Sequence, residues 1–125
     1  MLNLNSILIG SANPQKLINF YAKVLGQKLD WGDGECGGFK VGDGFITIGP
    51  HSEVKGPNKE PGRFLFNFET SEIQDEFERI KKLGAKVIAE PYNPMQEEGM
   101  LIATFSDPDG NYFQLMTPME EYKSN

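Results

Sequence analysis

The 125-residue chain has the length of one ordinary domain, and 38% of it is hydrophobic, with nine Phe, four Tyr and one Trp, enough to bury a core without disulfide or metal staples. Twelve Lys and Arg against eighteen Asp and Glu leave a formal charge of -6, and no cationic stretch can neutralise a row of phosphates, which speaks against nucleic acid as a partner. A single cysteine, Cys36, allows no intrachain disulfide and fits a reducing cytoplasm, while the absence of a cationic leader or of any long apolar run argues against secretion and membrane insertion.

Residues Leu4 to Ile9 are aliphatic-rich and predict a strand. Asn13-Pro14 then offers a capping side chain followed by a proline at the first helical position. The apolar residues Leu17, Phe20, Tyr21, Val24 and Leu25 recur at helical spacing, and Gly26 is placed to end the helix. Lys28 to Trp31, Cys36 to Val41 and Phe45 to Ile48 predict three short strands separated by Gly-Asp-Gly turn signals. Residues 51–62 are rich in Pro, Gly and charge, lack periodicity, and predict a linker.

The same series then restarts. Arg63 to Glu69 alternates and predicts a strand, Ser71 with Gln74 has the form of a capping box, and Ile73, Phe77, Ile80 and Leu83 mark the inner face of a second helix that Gly84 ends. Lys86 to Ala89, Met100 to Phe105 and Tyr112 to Met116 predict three more strands. Leu25-Gly26-Gln27-Lys28-Leu29 matches Leu83-Gly84-Ala85-Lys86-Val87 at an offset of 58, and Asp43-Gly44 matches Asp109-Gly110 at an offset of 66, with an insertion around Tyr92 to Glu98. An internal duplication follows: two βαβββ modules, 2–56 and 63–118, in one domain spanning 1–125. Neither small sheet covers its apolar faces alone, so the modules are expected to pack together or to pair in a homodimer.

With NFYAKVLG in the first helix, KKLGAKV ending the second and FSDPDGNYFQL near the end, the chain resembles the vicinal oxygen chelate superfamily, the glyoxalase, bleomycin-resistance and extradiol-dioxygenase group. The resemblance implies an α+β fold of two βαβββ modules forming a cupped mixed sheet. In metal-dependent members a His near the start of the first strand, a His or Gln near the start of the fifth and a Glu in the last hold the ion. Carried over motif by motif, those positions fall on Ser6, Arg63 and Gln114, with Ile48 as the first-module counterpart of Gln114. A neutral hydroxyl, a cation and a neutral amide are poor partners for a divalent ion, so neither a metal nor another cofactor is expected.

The resemblance further implies a cavity whose wall would take in Trp31, Phe39, Phe45, Tyr92 and Met100, residues that equally suit plain core. Arg63 offers a planar fork of donors for a carboxylate or phosphate, or else pairs internally with an acid such as Glu69 or Glu90. His51 on the linker reads as solvated, Cys36 has no cation or helix start beside it to activate its thiol, and Glu97-Glu98 reads as a solvated charge pair. The favoured expectation is a cytoplasmic, metal-free binding protein for a small polar or anionic molecule. The alternatives are a lyase or dioxygenase of this superfamily with non-standard metal ligands, and a protein acting through its fold alone as a dimerising or regulatory partner.

Overall fold

Asn13 caps the first helix in the computed structural model, which describes residues 1–94 and 99–118. The Asn13 side chain accepts the Lys16 N–H at 3.3 Å, Pro14 opens helix α1 (Pro14–Leu25), and Gly26 closes it at φ 68°, a left-handed conformation that glycine adopts without strain. Leu17, Ile18, Tyr21 and Val24 form its buried stripe. Ile18 thus joins the inner face, whereas Phe20 and Leu25 are only half-buried.

Two compact units divide the chain, Met1–Pro57 and Asn58–Asn125, and the division falls within the segment 51–62. The first unit holds β1 (Ile7–Gly10), α1, β2 (Trp31–Gly32), β3 (Gly37–Val41) and β4 (Gly44–Gly49) in a sheet of order β1-β4-β3-β2. The second repeats the plan with β5 (Phe66–Glu69), α2 (Ile73–Lys82), β6 (Lys86–Tyr92), β7 (Ile102–Ser106) and β8 (Tyr112–Met116), in the order β5-β8-β7-β6. In each sheet the first strand runs parallel to the last and the other neighbours run antiparallel. The fold is therefore α+β with two four-stranded mixed sheets, and the duplication read in the sequence appears as two copies of one topology.

In the first unit Phe39, Ile46 and Ile48 are buried beside Leu17 and Tyr21; in the second, Phe77, Ile80, Ala103, Phe105, Phe113 and Leu115 are all at most 3% exposed. The Phe77 ring lies 5.2 Å from that of Phe105, which stacks on Phe113 at 5.5 Å, so alternate residues of β7 and β8 seal the helix side of their sheet.

Several predicted boundaries move. Strand β1 begins at Ile7 and β5 at Phe66, so Ser6 and Arg63 both lie ahead of their strands. Strand β2 is only two residues long; ahead of it Asp30 donates its N–H to the Gly38 carbonyl at 2.9 Å, and its carboxylate accepts the Lys40 backbone N–H and the Gln27 side-chain amide. The expected capping box is replaced: α2 starts at Ile73 with Glu72 as its cap residue and no side-chain cap bond, and the Thr70 hydroxyl accepts the Glu72 N–H in a local turn. Leu83 falls just past the helix and is 45% exposed, and Phe64 is 78% exposed. Met100 and Leu101 precede β7, held by Thr117, which donates to the Met100 sulfur and accepts the Leu101 N–H. Glu97-Glu98 lies outside the described residues.

Candidate functional site

Side chains alternate across a strand, so the residues between Phe113, Leu115 and Phe105 face away from α2. Gln114 on β8 is paired in register with Thr104 on β7 and with Asn67 on β5, and Thr104 in turn with Ala89 on β6. Asn67 belongs to this face because its neighbour Phe68 turns the other way to meet Phe113, ring to ring at 5.9 Å. A row of neutral polar groups, Asn67, Gln114 and Thr104, therefore crosses three strands. Gln114 donates from Nε2 to the Thr104 hydroxyl at 3.0 Å; Thr104 is buried and Asn67 exposed. Glu69, Met116, Ile102 and Tyr92 continue the face on one side of this row, and Tyr112, Ser106 and Lys86 on the other.

The corresponding row of the first unit is Leu8, Thr47, Gly38 and Trp31. A side chain at Gly38 would collide with the Trp31 indole and the Phe45 ring, so this glycine gives two aromatic rings room to lie against the sheet. Trp31 is 45% exposed and Leu8 61%. Apart from Thr47, whose hydroxyl donates to the Ile7 carbonyl, the first unit thus presents apolar and aromatic side chains where the second presents polar ones.

The face also corrects the expected counterpart of Gln114. The register places Thr47, not Ile48, opposite the equivalent positions of β1, and Ile48 is buried on the helix side. The offset of 66 fails because the β3–β4 hairpin closes between Val41 and Gly44, whereas Ser106 and Tyr112 bracket a five-residue turn. A one-residue difference moves a side chain to the other face.

Arg63 sits in a turn rather than a strand, and its guanidinium donates to Glu60 at 2.9 Å; Glu60, not Glu69 or Glu90, is its partner, and both side chains are more than 60% exposed. Ser6 is exposed ahead of β1. Phe39 is fully buried, on the opposite face of β3 from Gly38, which removes it from any ligand-facing wall. Phe45 is half-buried, Tyr92 is 47% exposed and lies on the polar row's face, and Met100 is committed to Thr117. His51 is exposed and accepts the Glu53 N–H on Nδ1, and Cys36 is exposed beside Gly49. Asn67 escaped the sequence reading; its place as the polar residue between Phe66 and Phe68 was the available signal.

The turn Asp107-Pro108-Asp109-Gly110-Asn111 positions β8. Asp107 is 5% exposed, and its Oδ1 accepts the N–H groups of Asp109 and Asn111, both at 2.9 Å, while Oδ2 takes the Asn111 amide at 3.0 Å. Asn58 ties the segment before β5 to the same turn, donating its own N–H to the Asp109 carbonyl at 2.8 Å and its amide to Asn111 at 2.9 Å.

The family model described as a glyoxalase-like domain matches residues 6–116, nearly the whole described chain. The chain belongs to the glyoxalase-like domain family. No curated protein matches it at a significant level. Among solved structures, a protein from the mobile metagenome of V. Pseudocholerae is 26% identical, with 94% of this chain and 95% of that one covered and a TM-score of 0.70. A glyoxalase/bleomycin resistance protein/dioxygenase family enzyme from Burkholderia phytofirmans is 20% identical over 93% and 98% of the two chains, at TM-score 0.74. The fosfomycin resistance protein FosX from Mesorhizobium loti shares the fold at 16% identity, over 100% and 98%, at TM-score 0.66.

Metal-dependent relatives of this glyoxalase-like domain would hold an ion at the positions of Ser6, Arg63 and Gln114, and the residues here do not fit one. Ser6 is a neutral hydroxyl, Arg63 is a cation already paired with Glu60, and Gln114 is a neutral amide engaged with Thr104. Among the described residues no three His, Cys, Asp or Glu side chains gather where they could share an ion. None of the described helices is long and apolar enough to cross a membrane.

Proposed function

We propose that this glyoxalase-like protein is a cytoplasmic binding protein that holds a small polar or anionic molecule without a divalent metal, with Gln114 as the polar centre of the site. The observation that carries the reading is the donor set at the three carried-over positions, which has lost its metal-binding chemistry while Gln114 keeps a hydrogen-bonding side chain, braced by Thr104, on the face away from α2. Tyr92, on the same face, adds apolar surface to it. Ser6 and Arg63 are exposed, and Arg63 can trade its weak surface pair with Glu60 for a ligand carboxylate. The protein acts as a homodimer in this reading, since β1 and β5 are edge strands of their own sheets and, among the described residues, each sheet has a single helix.

A thermal-shift screen of chelator-treated protein against small carboxylic acids, amides, phosphates and antibiotics tests this. At least one compound should raise the melting temperature by several degrees at saturation, equally with and without EDTA, and Gln114→Ala should abolish that shift. A blank screen, or a shift that EDTA removes, contradicts the reading.

A further inference from the structure

The ligand class follows from what the polar row can and cannot pair with. Because Gln114 gives its Nε2–H to Thr104, the carbonyl Oε1 is the half of the amide left to accept a bond. Asn67, in register on the next strand about 4.8 Å away, is exposed and makes no side-chain hydrogen bond among the described residues, so it offers both a donor and an acceptor. Two carboxamides side by side present acceptor and donor together.

No formal charge lies in the row. Glu69 and Lys86 lie on this face, one of each sign in the rows on either side, exposed Glu90 follows Ala89 on β6 between two register shifts, and Arg63 is in the turn with Glu60. A carboxylate or phosphate placed there would lose water without meeting a charge-assisted donor, whereas a neutral amide edge would find complementary partners. Tyr112 on one side, and Met116 and Ile102 on the other, give that edge half-buried flanks.

We infer that Asn67 and Gln114 together read a neutral donor–acceptor edge of a ligand, a carboxamide or lactam, with Asn67 as the specificity-determining residue. This rests on the binding reading above and narrows its polar or anionic ligand to a neutral one.

Benzamide and benzoate, matched in shape and differing in charge and donor, separate the cases. Each is titrated into ¹⁵N-labelled protein, and the side-chain NH₂ resonances of Asn67 and Gln114 are followed, assigned by their loss in Asn67→Ala and Gln114→Ala. Benzamide should shift both pairs saturably and benzoate neither at equal concentration. Asn67→Ala, with an otherwise unchanged spectrum, and Asn67→Asp should each weaken benzamide roughly 3- to 10-fold, the value of one hydrogen bond. Equal response to benzoate, no response to benzamide, or benzamide binding indifferent to Asn67 overturns the inference. If a charged compound from the thermal-shift screen nonetheless binds through Gln114, the broader reading survives that failure; if that screen is blank as well, both fall.

Discussion

Arg63 illustrates how a residue's position in the chain and its position in space part company. Its place in the motif suggested a cation at a strand start, where burial would demand a partner and truncation would cost about 3 to 5 kcal/mol. In the turn, with an exposed Glu60 as partner, Arg63→Ala should cost less than about 1 kcal/mol in a urea titration; a loss of 3 kcal/mol or more would mean a buried pair. Asp107 is the opposite case. Its carboxylate satisfies two backbone N–H groups and the Asn111 amide from a buried position, so Asp107→Ala should destabilise the protein by about 2 to 4 kcal/mol. A midpoint within experimental error of the parent would refute that role.

At the scale of elements, helix ends were more legible than strand starts. Asn13-Pro14 and Gly26 act through one residue's own backbone or side chain, and the structure keeps all three. Ser71 with Gln74 had the right spacing for a cap, but the chain turns on Thr70 first, a choice set by the Thr70 N–H reaching the Met116 carbonyl across β5 and β8. Strand pairing is non-local, so the early starts given to β1 and β5 and the slip from Thr47 to Ile48 were invisible until the ladders were in place. Gly38 had no meaning in the sequence because its reason, the Trp31 indole, comes from the neighbouring strand. Gly38→Ala should cost about 1 to 3 kcal/mol and shift the fluorescence of Trp31, the only tryptophan in the chain; unchanged emission would mean the ring does not rest there.

Helix α2 also carries a titration effect. The hydrogen bond to Glu76 holds the Arg79 guanidinium above its usual range, reinforced by the charge of Glu76 and opposed by partial burial. A raised pKa on a cation stabilises the fold at every pH below the unfolded value and is lost only as pH climbs through the folded one. Glu76→Gln should therefore cost less than about 1 kcal/mol, the pair being partly exposed, and by the same amount throughout neutral and mildly alkaline solution. A cost that changes between pH 7 and about 10 would contradict this.

Across the whole molecule, duplication was the most legible feature, since an offset of 58 between two helix ends needs no knowledge of pairing. The two copies have diverged where their faces turn from the helices: Leu8, Thr47, Gly38 and Trp31 in one, Asn67, Gln114, Thr104 and Ala89 in the other. Core positions repeat their apolar character and the open faces do not, the pattern expected when packing constrains one side and ligand chemistry the other. The homodimer proposed here predicts a scattering mass of twice the 14.0 kDa chain at micromolar concentration, and a monomer mass would set it aside.

In the proposed reading, hydrogen-bonding chemistry centred on Gln114 stands where a divalent metal would otherwise be held. Elemental analysis of the purified protein, grown and handled with zinc, nickel, manganese and iron available, tests it most directly. Far less than one equivalent of any of these metals per chain is expected, with a melting temperature that EDTA leaves unchanged. About one tightly held ion per chain, whose removal lowers the melting temperature, would contradict it.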